Sequence, residues 1–212
     1  MSEAPTLSDS LSEVRAGVLR RPGLVCAPLR EALTEAYDGW LAARLPADAE
    51  GVALVAVGSL GRREPSPSSD LDLVLLHNGS ASEVAELADS IWYPVWDSGV
   101  GLDHSVRTPD EALRVAREDL KALLGLLDVR HVAGDARMSA TMRSDVLAIW
   151  RATALKRSDE LRSIAQRRWE LEPRRTDDPP ATARGRSPTA PGGRMRPPRR
   201  DGPASRRGWR CG

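Results

Sequence analysis

Apolar positions along this chain recur at two different periods, and the change between them marks out helices and strands. From Leu29 to Leu45 they fall at Leu29, Leu33, Tyr37, Trp40, Leu41 and Leu45, the three- and four-residue spacing of a helix with one buried face. Two short apolar runs follow, Val52–Val57 and Leu73–Leu76. Runs of this length, rich in Val and Leu and bounded by Gly, Pro and Ser, predict buried strands. Helical spacing returns with Val84, Leu87, Ile91, Trp92 and Val95, and Ser80 and Glu83 ahead of them have capping-box spacing. Residues 99–106 predict a third strand. Thr108-Pro109-Asp110-Glu111 then supplies a hydroxyl cap, a proline in the first turn and a Glu at the third position, which starts a helix. Its buried side comes from Leu113, Ala116, Leu120, Leu123, Leu124 and Leu127. Residues 129–135 read as a short connection into a long helical tract from Ala136 to about Trp169.

Composition changes this picture at Pro173. The remaining residues, 173–212, hold 8 Pro, 6 Gly and 11 Arg, with no Leu, Ile or Val. Such a segment cannot bury enough apolar surface to repay its ordering entropy. It carries 3 Asp and no Lys, a net of +8, so the overall +1 leaves −7 for residues 1–172, with 20 basic residues against 27 acidic. An acidic body argues against nucleic acid as the main partner, because phosphate-backbone contacts need a basic surface. The two cysteines, Cys26 and Cys211, define neither a disulfide framework nor a zinc site. Residues 1–12 bear acids and hydroxyls rather than a basic and then an apolar segment, and no apolar run approaches membrane-spanning length. The expectation is a cytoplasmic protein with no membrane partner.

The chemistry concentrates between Ala53 and His77. Asp70-Leu71-Asp72 opens the second apolar run, and strand alternation puts both carboxylates on one side. Paired carboxylates at the start of a buried strand repel each other and lose hydration. A divalent cation relieves both, and a set of oxygen ligands suits Mg²⁺. Before them, Gly58 permits close backbone approach and Ser59 adds a hydroxyl where a helix could begin at Leu60, which together suit an anion. No Gly-Lys-Ser/Thr follows, so a P-loop is excluded. Arg62 either binds phosphate or holds Glu64, or belongs to a solvated turn. Ser69 either steers a phosphate or caps its turn. Asp103 shares a face with Gly101 and Ser105, with His104 on the opposite one. Trp92 and Trp96, four residues apart, suit packing on the sheet better than a base-stacking platform.

Gly58-Ser59-x-Gly61-Arg62-x-Glu64 followed by Ser69-Asp70-Leu71-Asp72 resembles the signature of the DNA polymerase β-like nucleotidyltransferases. With Trp96-Asp97, Gly101 to Thr108 and Gly134-Asp135, roughly residues 30–170 resemble the amino-terminal domain of the bifunctional uridylyltransferase/uridylyl-removing enzymes. The resemblance implies an α/β (α+β) fold, a small mixed sheet flanked by helices with a helical extension and a disordered tail. It implies Mg²⁺-dependent transfer of UMP from UTP to a tyrosine of the PII nitrogen-signalling protein. Asp70, Asp72 and Asp103 are then the catalytic and metal-binding candidates, although some relatives place an acid where Gly101 stands. Gly58, Ser59, Arg62 and Ser69 are the nucleotide-binding candidates.

The expected organisation is a disordered start over 1–12, a nucleotidyltransferase domain over 13–135, a helical extension over 136–172 and the Arg/Pro-rich tail over 173–212. The family continues where the tail stands with a helical region, a phosphohydrolase domain and ACT domains. The expectation is therefore a truncated or frame-shifted chain with impaired activity, with a partner-binding or RNA-binding arm as the other reading of the tail. A non-catalytic nucleotide-binding or interaction fragment and a different polymerase β-like nucleotidyltransferase are the alternative functions.

Overall fold

A computed structural model describes residues 10–46, 49–79 and 81–171. Its centre is a four-stranded mixed sheet in the order β3-β2-β1-β4, made of β1 (Val52–Ala56), β2 (Leu71–His77), β3 (Leu102–Arg107) and β4 (Arg130–Gly134). β1 pairs antiparallel with both β2 and β4, while β2 and β3 run parallel. The parallel pair requires a crossover, and α4 (Ala81–Asp97) provides it. The mixed sheet flanked by helices is the α/β architecture expected from the sequence.

The two faces of the sheet have different neighbours. Leu54 and Ala56 on β1 and Leu71, Leu73 and Leu75 on β2 enter one apolar cluster. There they meet α1 (Leu11–Leu19), α2 (Cys26–Ala42) and α4, chiefly through Leu33, Tyr37, Trp40 and Ile91. A fully buried Leu or Ile in such a cluster contributes roughly 1.5–3 kcal/mol. Alternation sends Asp72, Val74 and Leu76 to the other face. There α5 (Pro109–Glu118), α6 (Leu120–Leu127) and α7 (Ala136–Thr153) pack against one another and against the sheet. One side of the sheet is thus closed by core, and the other carries the acids.

Three local expectations change. The stretch read as a connection, residues 129–135, contains β4, which pairs with β1 through a bulge at Leu54/Val55. Its polar start conceals the strand signal, because Arg130 and His131 are satisfied by side chains outside the sheet, Asp38 and Ser139. The helix beginning after Thr108 is two helices. Asp119 takes extended backbone, ends α5 and caps α6 by accepting the Lys121 N–H at 2.8 Å. The helical tract after Ala136 is likewise divided, into α7 and α8 (Ser158–Leu171).

At the chain start, α1 begins inside the stretch expected to be disordered. Ser10 and Glu13 form a reciprocal capping box, and Leu11 and Val18 are buried. That box and the apolar spacing of Leu11, Val14 and Val18 were available in the sequence as helix signals. The capping box expected of Ser80 and Glu83, and the tail after Leu171, lie outside the described residues. Among the described residues no helix is long and apolar enough to cross a membrane.

Candidate active site

The turn after β1 is a single helical turn, α3 (Gly58–Gly61), entered with Gly58 at φ +57°. That left-handed backbone favours glycine, and the space beside it is also occupied. A Cβ on Gly58 would overlap the Asp72 carboxylate. The Ser59 N–H donates to that same carboxylate, and the Val57 N–H donates to the Asp72 carbonyl at 2.9 Å. The Gly-Ser turn and the second aspartate are therefore one interlocked unit.

Across the parallel pair, Asp72 stands directly opposite Asp103. Asp70 lies immediately before β2, and its carboxylate fills the place where a side chain at Gly101 would begin. Asp70 thus fills the space beside Gly101, and Asp103 is the β3 acid in register with β2. Half-buried between like charges, Asp72 has its carboxyl pushed above the usual range. Burial is the largest cause, followed by Asp103 and then Asp70, while the Ser59 N–H and Arg62 pull the other way.

The remaining candidates sit elsewhere. Arg62 donates to Glu64 at 3.3 Å and to Asp128 at 2.5 Å, so its guanidinium ties α3 to the end of α6. Ser69 closes its own turn: its hydroxyl accepts the Ser66 N–H at 2.9 Å. The His104 ring packs on Trp92 and Trp96 at centroid distances of 5.0 and 5.2 Å, so both tryptophans serve packing on the sheet.

A cleft of about 450 Å³ opens beside Gly58, Asp72 and Asp103 and runs beneath α5 and α6. Its walls are apolar at Val74, Val115 and Leu126, and its cations are Arg107 and Lys121. Sequence reasoning did not single out either one. It also missed Arg130, which donates twice to Asp38 and twice to the Leu60 carbonyl, bracing α3 from behind. Arg15 on α1 donates to the Pro67 carbonyl and so pins the loop ahead of Asp70. Only the fold joins these partners, which lie 52 to 92 residues apart in sequence.

The cleft sets the facing carboxylates of Asp72 and Asp103 beside His104 and Ser105, and the repulsion that raises Asp72 is what a hard cation would remove. Among the described residues no three Asp, Glu, His or Cys side chains are grouped for a metal ion. A metal here would thus rest on the Asp72–Asp103 pair, with Asp70 nearby and phosphate or water oxygens completing the shell, the usual manner of Mg²⁺.

No family model matches the chain. Among curated proteins it is 56% identical over 149 residues to the bifunctional uridylyltransferase/uridylyl-removing enzyme of Streptomyces coelicolor, covering 68% of this chain and 18% of that enzyme. The enzyme of the same name from Mycobacterium tuberculosis is 40% identical over 175 residues, or 79% of this chain and 22% of that one. A solved structure, a toxin–antitoxin with AMP-PNP, overlaps at a TM-score of 0.37 with 14% identity, over 57% of this chain and 90% of that one. That overlap is too loose to carry an argument.

The chain is thus similar, over 149 to 175 residues, to relatives named for uridylyl transfer and removal. More narrowly, it is homologous to a part of the bifunctional uridylyltransferase/uridylyl-removing enzymes, and it spans about a fifth of the length of the curated relatives it matches.

Proposed function

We propose that this chain carries a Mg²⁺-dependent nucleotidyltransferase site that transfers UMP from UTP to a tyrosine hydroxyl of the PII signalling protein. The observation that carries the reading is the in-register Asp72–Asp103 pair locked to the Gly58-Ser59 turn. The names of the relatives support uridylyl transfer as the reaction.

In the transfer, the tyrosine oxygen bonds to the α-phosphorus and the bond to the α–β bridging oxygen breaks. Pyrophosphate leaves, and the phenolic proton passes to a base, for which Asp103 is the candidate. Bound Mg²⁺ would offset phosphate charge and lower the pKa of the attacking hydroxyl. Asp72 and Asp103, with Asp70 beside them, would hold it. Gly58 and Ser59 would shape the turn that faces the phosphates. Arg62 would hold α3 on α6, and Ser69 would fix the loop leading to Asp70.

The test is Mg²⁺-dependent UTP binding by thermal shift, together with label transfer from UTP to PII, for the wild type and the Asp72→Asn and Asp103→Asn variants. The expected result is a Mg²⁺-dependent shift with UTP that both variants lose, and transfer reduced by at least about a hundred-fold in each. Shifts equal in wild type and variants would overturn the site. Binding without any transfer would favour a nucleotide-binding fragment.

A further inference from the structure

We infer that Arg107 and Lys121, facing into the cleft beside the Asp72–Asp103 pair, form an oxyanion subsite for the phosphate chain of the nucleotide. The inference rests on the nucleotidyltransferase reading of the same cleft. Asp103, Ser105 and Arg107 alternate along β3 and share a face. Arg107 thus stands two pleats, about 13 Å, beyond the acid pair on one continuous surface. Lys121, in the first turn of α6, lines the same cleft.

Charge accounting favours these two residues. A nucleoside triphosphate stays anionic after one divalent cation binds, and the acids lining the cleft, Asp72 and Asp103, cannot offset the remainder. Arg62, the cation expected to do so, is committed to Glu64 and Asp128, and Arg130 to Asp38 and the Leu60 carbonyl. Arg107 and Lys121 are different. Among the described residues neither side chain makes a hydrogen bond or an ion pair, although Arg107 is half-buried. A guanidinium in that state gains from any oxyanion that reaches it, and its planar fork suits phosphate. The chain has only two lysines, Lys121 and Lys156, among its 31 basic residues. An ammonium at position 121 is therefore a departure from its usual choice of Arg.

The experiment measures binding of UTP–Mg²⁺, inorganic tripolyphosphate and uridine by calorimetry to the full chain and to Arg107→Gln, Lys121→Gln, the double variant and Asp72→Asn. Each single change should weaken UTP–Mg²⁺ and tripolyphosphate about ten-fold, and the double change more, with uridine unaffected. The wild-type affinity for tripolyphosphate should fall steeply with salt, and Arg107→Lys and Lys121→Arg should keep most of the binding. Equal tripolyphosphate and UTP–Mg²⁺ affinities in the wild type and the Gln variants would overturn the subsite. If Asp72→Asn still abolished Mg²⁺-dependent binding in that case, the nucleotidyltransferase reading would survive. Conversely, tripolyphosphate binding that the Gln variants lose, without any UTP binding by the wild type, would support the subsite and overturn that reading. A wild type that binds neither ligand overturns both.

Discussion

The carboxylate of Asp70 occupies the space in which a Cβ at Gly101 would stand, and the Leu71 N–H donates to the Gly101 carbonyl at 2.8 Å. Gly58 stands in the same relation to Asp72. Each aspartate of the Asp-Leu-Asp segment thus leans on a glycine of a neighbouring segment. The absent side chains are what leave room for these two carboxylates.

Gly101→Ala should separate site geometry from stability. The atom it meets is the end of an exposed side chain that can swing away, so unfolding free energy should change by less than about 1 kcal/mol. Asp70 would be re-aimed, and transfer should fall by about a hundred-fold. Gly58→Ala should lose transfer too, and also about 1–2 kcal/mol of stability, because residue 58 holds a left-handed backbone. Denaturant melts alongside UTP–Mg²⁺ titrations check both. Wild-type binding and transfer in Gly101→Ala would make the Asp70 contact incidental.

The raised pKa of Asp72 gives a pH signature. A carboxyl whose folded pKa lies above its unfolded value contributes stability below the unfolded value, and that contribution is lost as pH rises through the folded one. Asp72→Asn keeps an acceptor for the Ser59 N–H and removes the charge that burial, Asp103 and Asp70 oppose. In metal-free buffer it should therefore melt above the wild type at pH 7–8, with the gap closing as pH falls below 4. Added Mg²⁺ should raise the wild-type melting temperature more than that of the variant. Coincident melting curves from pH 3 to 8 would remove the electrostatic argument.

The elements legible in the sequence were those whose signal is local. The apolar run of β1, the Asp-Leu-Asp start of β2 and the Thr108–Glu111 capping box needed no tertiary information. The resemblance to nucleotidyltransferases lay in those same stretches. β4 stayed hidden because its polar residues are satisfied by distant partners, Arg130 by Asp38 and His131 by Ser139. Arg62 was legible as a candidate and not as a tie to Asp128, 66 residues away. Arg107 and Lys121 look like surface charges until β3 and α6 bring them to one cleft.

His104 should prove a packing residue. Its ring lies between Trp92 and Trp96, and contacts of this kind are worth about 0.5–1.5 kcal/mol each. His104→Ala should cost about 1–2 kcal/mol of stability, and His104→Phe should recover most of it. UTP–Mg²⁺ binding, measured below the melting range, should persist in both. Loss of binding in His104→Phe at wild-type stability would give the imidazole, whose residue also lines the cleft, a role at the site.

Arg130 and Asp38 give the last test, because they connect the fold to the site without touching the cleft. Asp38 on α2 accepts two hydrogen bonds from the Arg130 guanidinium, at 2.8 and 2.9 Å, and Arg130 passes two more to the Leu60 carbonyl of α3. Both side chains are largely covered, with 20% and 23% exposure, so water replaces a lost partner poorly, although Arg63 at 3.9 Å stays beside Asp38. Asp38→Ala and Arg130→Ala should each cost about 2 kcal/mol. The double variant should cost much less than their sum, with a coupling of about 1–3 kcal/mol in a double-mutant cycle. Arg130→Lys keeps the charge but cannot serve both oxygens of Asp38 and the Leu60 carbonyl together. It should retain part of the stability and still weaken UTP–Mg²⁺ binding, because the turn that holds Ser59 against Asp72 is no longer braced. Additive losses in the cycle, or wild-type UTP–Mg²⁺ affinity in Arg130→Lys, would show that α3 holds its shape without this support.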